Sequence, residues 1–219
     1  YFVEDIYGFL VQPLADAMGP GDSQRLIYTN LTEAFMTYLK VGFFAGLFVS
    51  FPVVLYQLWR FVAPALYKNE QHAFAPYLIA APALFFLGGA VVYYVLMPMA
   101  WPFFLGFQSS AADTALPIRL EARVGEYLDL VMLLIFSFGL CFQLPVVLVL
   151  LGRSGLISAS SLAAKRKFAI ILAFIVGAVM TPPDILSQIA LALPIILLYE
   201  ISILLIRRTE HHDAASPRS

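Results

Sequence analysis

Polar residues fall in clusters along this chain, and long apolar stretches separate them. Five such stretches read as apolar helices, over about 34–59, 77–98, 124–151, 168–180 and 185–206. Turn and charge signals lie between them. Gly19-Pro20-Gly21-Asp22 reads as a turn, Ser109 to Pro117 as a loop of small residues, and Ser158-Ala159-Ser160-Ser161 precedes a Lys165-Arg166-Lys167 run. The pattern predicts one all-α transmembrane domain over 1–219, with residues 1–33 as an external loop and 207–219 as a polar tail.

The fourth and fifth runs are split by Thr181-Pro182-Pro183-Asp184. Phe168 to Met180 is 13 residues, or roughly 20 Å of helix against a bilayer core of roughly 30 Å. A run this short spans alone only by thinning the bilayer or drawing water and partners to its end. Thr181-x-x-Asp184 ahead of an apolar run reads as a capping box, with Pro182 at a first-turn position that needs no donor. Gln188 follows four residues after Asp184, on the same helical face.

Prolines recur within or beside the runs at Pro52, Pro76, Pro82, Pro145 and Pro194. Each internal proline removes a helical donor and crowds the carbonyl four residues earlier, so the helices bend. Bent helices predict a curved, concave wall rather than a straight bundle. Gly42-x-x-x-Gly46 is the spacing that permits close helix contact.

Composition agrees with a lipid environment. The chain is 61% hydrophobic and 12% charged, with mean hydropathy +0.86, whereas soluble domains carry about 25% charged residues. A net charge of −1 gives no basic footprint for nucleic acid. Nine of the thirteen Lys and Arg residues (Arg60, Lys68, Arg153, Lys165, Arg166, Lys167, Arg207, Arg208 and Arg218) fall on one side of the predicted spans. The positive-inside rule makes that side cytoplasmic, places the C-terminus inside and, with five spans, Tyr1 outside.

Catalytic constellations are missing from the sequence. It holds no Walker loop, no His-Glu-x-x-His and no Gly-x-Ser-x-Gly. His211 and His212 read as solvated tail residues, not metal ligands, and no cofactor is implied. Cys141 reads as a small buried hydrophobe. The loop from Phe61 to Glu70 is aromatic and carries one acid; it reads either as an interfacial connector or as a receptor for a cationic ligand at the membrane surface. Gln143, deep in the third run, is either an interhelical hydrogen-bonding residue or a polar contact for a ligand or partner helix. Asp184 and Gln188 pose the same choice. Glu126 and Asp129 favour the start of the third run electrostatically and take no ligand in this reading. Proline-broken helices around Gln143 could also form a midplane site of a small-solute transporter, but no internal repeat supports it.

Four stretches in order carry a family likeness: Phe51-Pro52-Val53-Val54-Leu55-Tyr56-Gln57-Leu58-Trp59; Phe61-x-x-Pro64-Ala65-Leu66-Tyr67-x-x-Glu70; Phe142-Gln143-Leu144-Pro145-Val146; and Met180-Thr181-Pro182-Pro183-Asp184-x-x-x-Gln188. Asp5-Ile6-Tyr7 to Pro13-Leu14 also looks like the family's first external loop. The chain resembles TatC, the polytopic core of the twin-arginine protein translocase, over Tyr1 to about Arg208. The resemblance implies six helices with both ends cytoplasmic. Five are legible here, and the family's N-terminal segment and first helix have no counterpart in the sequence.

The resemblance also implies a function. Such proteins recognise twin-arginine signal peptides on folded substrates, recruit single-span TatA/TatB-type partners, associate with further copies of themselves, and work in the bacterial cytoplasmic membrane on the proton-motive force. By position, Glu70 corresponds to the signal-peptide acid, with Phe61 in the same surface patch. Thr181 and Gln188 correspond to a polar patch where the partner helix docks, and Pro13 and Asp184 to further functional positions. A guanidinium forks onto a carboxylate with two parallel hydrogen bonds, which the compact ammonium of lysine cannot copy. The family often carries an acid where Gln143 stands, and a basic residue where Gln71 stands.

Overall fold

The computed structural model describes residues 2–19, 26–62, 68–108, 121–180 and 185–215. Among these the regular structure is helical, apart from one isolated bridge pairing Ile27 with Arg123. Helix α1 spans Val3–Met18, inside the segment read only as an external loop. Its apolar residues recur at helical spacing, and Leu10, Pro13 and Leu14 are buried. Glu4 and Asp5 sit in its first turn, where the helix dipole favours acids, and Gly19 ends it at φ 69°, a conformation open to glycine.

Helix α2 runs Glu33–Val62. Helix α3 (Lys68–Val91) passes through a π-helical turn at Val92–Leu96 into α4 (Met97–Leu105). Proline explains that turn. Pro98 has no N–H for the carbonyl of Tyr94, and just before it the Met97 N–H bonds Val92, five residues back. Helices α5 (Val124–Cys141) and α6 (Leu144–Arg153) form a second broken rod. Here Pro145 withholds the donor that would serve Cys141, and the helix breaks at Phe142-Gln143. A capping box between Ser158 and Ser161 starts the short α7 (Ala159–Ala164), followed by α8 (Arg166–Met180) and α9 (Ile185–Ala215).

Among the described residues, four stretches are long and apolar enough to cross a membrane: Glu33–Leu58, Ile79–Leu105, Val124–Arg153 and Gln188–Glu210. Helix α8, with 15 residues, is about 22 Å long and falls short of the bilayer core. Large apolar side chains such as Phe43, Val53, Ile79 and Leu193 are exposed along these rods. That surface suits lipid and not water.

The chain divides into two compact units, Tyr1–Ser50 with Gly89–Phe136, and Phe51–Gly88 with Ser137–Ser219. In the first, α1 packs on α4, and Val41, Val92, Met97, Leu128 and Val131 are fully buried. The Ile27 N–H bonds Ala122 at 3.0 Å, and the Val124 N–H bonds Ile27 at 2.9 Å, which ties the approach to α2 against the start of α5.

The second unit holds two close helix contacts. The rings of Phe51 and Phe85 stack at 3.6 Å between centroids. A Cβ on Gly139 would lie 2.5 Å from the Phe85 ring, and one on Gly88 would lie 2.7 Å from the Phe138 carbonyl. Glycine at both positions therefore lets α3 and α5 touch through their backbones. The Gly42/Gly46 pair does not act this way. A Cβ on Gly42 would meet only a Val3 methyl at 3.6 Å, and one on Gly46 would meet nothing within 4 Å. At the other end of this unit, Val149, Ala159, Leu162, Ile203 and Ile206 form one buried cluster under α6, α7 and α9.

Candidate functional site

The described residues singled out from sequence are divided between the two units. Pro13 lies within α1, where its ring leaves the Phe9 carbonyl without the usual donor four residues on. Another element supplies one. The Tyr93 hydroxyl donates to Phe9 O at 2.7 Å, and the Tyr127 hydroxyl donates to Leu10 O at 2.9 Å. The Tyr93 ring also stacks on Phe9 at 4.2 Å, nearly parallel at 3°. Pro13 thus creates an acceptor, and the π-helical turn carries the tyrosine that meets it. The family resemblance singled out Pro13; neither tyrosine carried a signal, because the pairing joins positions 84 residues apart. Half-burial raises the Tyr7 phenol, on the same helix, above its ordinary value, with Tyr38 adding to the effect.

A charged network sits beside this helix in the same unit. Arg123 donates to Glu126 at 2.6 Å, to the Thr29 hydroxyl at 2.6 Å and to Glu33 at 3.3 Å. Lys40 pairs with Asp129 at 2.6 Å, with both side chains about half exposed. Glu126 and Asp129 therefore have cationic partners, beyond the helix-start role read from sequence.

Gln143 stands at the break between α5 and α6 and is buried. Its Nε2 donates to the Ala81 carbonyl of α3 at 2.9 Å. The interhelical hydrogen bond, one of the two readings open from sequence, is present in the geometry. The break exists because of Pro145, so the motif Gln143-Leu144-Pro145 makes the gap and fills it with the same three residues.

Gln188 lies in the first turns of α9. Its Nε2 donates to Phe174 O of α8 at 3.0 Å. Gly177 admits this approach, since a Cβ there would sit 3.1 Å from the Gln188 carbonyl. The amide fastens the α8–α9 hairpin near its tip. Thr181, Pro182, Pro183 and Asp184, including the expected capping box, lie outside the described residues. At the far end of the hairpin, Arg166 forks onto Glu200 with bonds of 2.7 and 2.9 Å. This bidentate pair is the geometry by which a guanidinium and a carboxylate recognise one another.

Glu70 is the third residue of α3. A helix start carries partial positive charge from its unpaired N–H groups, which favours a carboxylate there. The side chains of Phe61 and Glu70 lie outside the described residues. Among the described residues no cluster of His, Cys, Asp and Glu is arranged to hold a metal ion.

The comparisons with known proteins converge on one family. The family model described as "Sec-independent protein translocase protein (TatC)" matches residues 1–194. A protein of that name from Magnetococcus marinus is 48% identical over 97% of this chain and 76% of its own length. The Rickettsia prowazekii protein is 45% identical over 94% of this chain and 80% of its own, and that of Escherichia coli K12 is 38% identical over 93% and 76%. The crystal structure of a "Twin Arginine Translocase Receptor- TatC" superposes with a TM-score of 0.79 at 35% identity, covering 94% of this chain and 87% of that one. The same receptor in DDM gives 0.80 at 36%, covering 94% and 88%. With the proline-broken apolar rods and the short hairpin, these matches place the chain in the TatC family of Sec-independent protein translocases, as a membrane-embedded component of twin-arginine protein transport.

Proposed function

We propose that this protein is the signal-peptide receptor and core of the twin-arginine translocation complex. In this reading it exports folded proteins across the bacterial cytoplasmic membrane on the proton-motive force, with single-span TatA/TatB-type partners. The observation that carries the reading is Glu70 at the third position of α3, in the motif Phe61-x-x-Pro64-Ala65-Leu66-Tyr67-x-x-Glu70. A solved chain alike over 94% of this one is a twin-arginine translocase receptor. The count of basic residues supports a cytoplasmic side for this loop and the C-terminus.

The chemistry suits the role. A carboxylate at the bilayer edge is only partly screened by water, and arginine presents a planar fork to it. By the family resemblance Phe61 belongs to the same patch, and its ring is of the type on which a guanidinium stacks. The α8–α9 hairpin with Thr181 and Gln188 is the docking place for a partner helix, and Gln188 serves it by holding the hairpin closed against Phe174.

The test is crosslinking of a twin-arginine signal peptide to membranes carrying the protein, its Glu70→Gln variant and its Glu70→Asp variant. Glu70→Gln should lower the yield about tenfold or more, the scale of a lost charge-assisted pair, and Glu70→Asp should retain part of it. Equal yields from all three would remove Glu70 from the receptor role. Export that continues after the proton gradient is collapsed with an ionophore would overturn the energy source.

A further inference from the structure

Alongside α1, in the first unit, lies an open groove of about 500 Å³. Its chemistry is lopsided. Asp16 is the charged residue lining it, and no Lys, Arg or His is among its lining residues. Pro13, Pro98 and Pro102 all line it, and proline brings a carbonyl but no N–H. Each also removes a donor from the residue four places earlier, so Phe9, Tyr94 and Pro98 lose their regular α-helical partners on this wall. The remaining donors are mostly committed. The Gln12 amide donates to Asp16 at 2.8 Å, and the Tyr93 hydroxyl donates to Phe9 at 2.7 Å. The Phe9 carbonyl is taken by Tyr93 and that of Pro102 by Gly106, so the groove offers the Asp16 carboxylate, the Tyr94 and Pro98 carbonyls and an aromatic wall, with few free donors.

The complement of such a surface is a compact cation with several N–H donors. Its surroundings narrow the choice of carrier. The wall continues into lipid-facing apolar surface, with Tyr94, Val95 and Met99 all more than half exposed. These residues lie on a stretch that is long and apolar enough to cross the membrane. We infer that the groove is a binding site for the ethanolamine headgroup of an aminophospholipid. The ammonium sits between the Asp16 carboxylate and the aromatic wall made by Tyr94 and the stacked Phe9–Tyr93 pair, and the acyl chains lie along Tyr94, Val95 and Met99. The phosphate, which needs donors, stays outside toward water. A choline headgroup offers the same charge to the rings but no N–H to the acceptors, so the site discriminates between the two.

Native mass spectrometry of the purified chain tests this, with phosphatidylethanolamine, phosphatidylcholine and phosphatidylglycerol of matched acyl chains. Phosphatidylethanolamine should be retained about tenfold better than the other two, and Asp16→Asn should erase that margin. The asparagine keeps an oxygen for Gln12, so the helix itself is undisturbed. Ala17→Phe, which fills the groove without touching its charge, should also abolish retention while the melting temperature in phosphatidylcholine stays that of the wild type. Equal retention of all three lipids, a preference for phosphatidylglycerol, or an unchanged margin in both variants would overturn the assignment. Displacement of the lipid by a soluble lysine-bearing peptide would assign the groove to a polypeptide and overturn it likewise.

Discussion

At the scale of single residues, two glycines and one amide govern the fit of the second unit. Gly139 and Gly88 leave no room for a methyl group: the Phe85 ring would lie 2.5 Å from one, and the Phe138 carbonyl 2.7 Å from the other. Gly88→Ala has backbone in its way and should destabilise by about 1–3 kcal/mol, the range for overpacking. Gly139→Ala meets a side chain rather than backbone, and should fall at the lower end by shifting the Phe85 ring against Phe51. Thermal melting in detergent distinguishes them, and equal loss at both would show that Phe85 is as fixed as the backbone. Gln143→Leu removes one buried hydrogen bond to Ala81. The loss should be about 0.6 kcal/mol, rising toward about 1.7. Neither glycine was legible as a contact in the sequence, where Gly42 and Gly46 had the better spacing. Spacing along one helix does not say which face meets a neighbour; only the partner across the contact decides that.

At the scale of elements, α1 and the α8–α9 hairpin are both held by side chains that answer a broken or crowded backbone. Tyr93 replaces the donor that Pro13 removes. Tyr93→Phe should therefore raise hydrogen exchange across α1 and cost about 1–3 kcal/mol in local stability. Pro13→Ala returns an N–H to Phe9 and should make the hydroxyl redundant. In that background Tyr93→Phe should lose most of its effect, a coupling that a double-mutant cycle measures. Additive losses would show that Tyr93 acts through its ring stacking on Phe9 alone. In the hairpin, Gln188→Leu should lower recovery of the single-span partner together with the stability of α8. Loss of partner with α8 unaffected would mean the amide touches the partner directly. The helices themselves were largely readable, because apolar runs in lipid are long and unbroken. Helix α1 was not, since an amphipathic 16-residue stretch beside a turn looks like loop when hydropathy alone is weighed. The π-helical turn escaped for a related reason: Pro98 announces a lost donor but not how the chain absorbs it.

At the scale of the molecule, the distribution of charge and the length of α8 set how the protein sits in its membrane. Cysteine labelling reads this directly, in a Cys141→Ala background. Asn69→Cys should react from the cytoplasmic side and Asp184→Cys from the opposite side. Labelling of both from one side would overturn the orientation drawn from the basic residues. The family itself was readable in the ordered motifs from Phe51 to Gln188, since short polar interruptions in lipid are rare enough to be distinctive. The groove beside α1 was invisible, because it is assembled from prolines and tyrosines that lie far apart in the chain.

The pairing of Lys40 with Asp129 has a consequence for biogenesis. The two residues are separated by 89 positions, so α2 enters the bilayer before its counter-charge has been synthesised. A lone ammonium is expensive inside hydrocarbon, and its long stem lets it reach back to the headgroups. The nascent segment should therefore sit in a shallower register until Asp129 arrives. Replacing that aspartate with asparagine would leave a cysteine planted at Leu31 standing farther from the lipid, more open to a bulky thiol reagent, long after synthesis is complete.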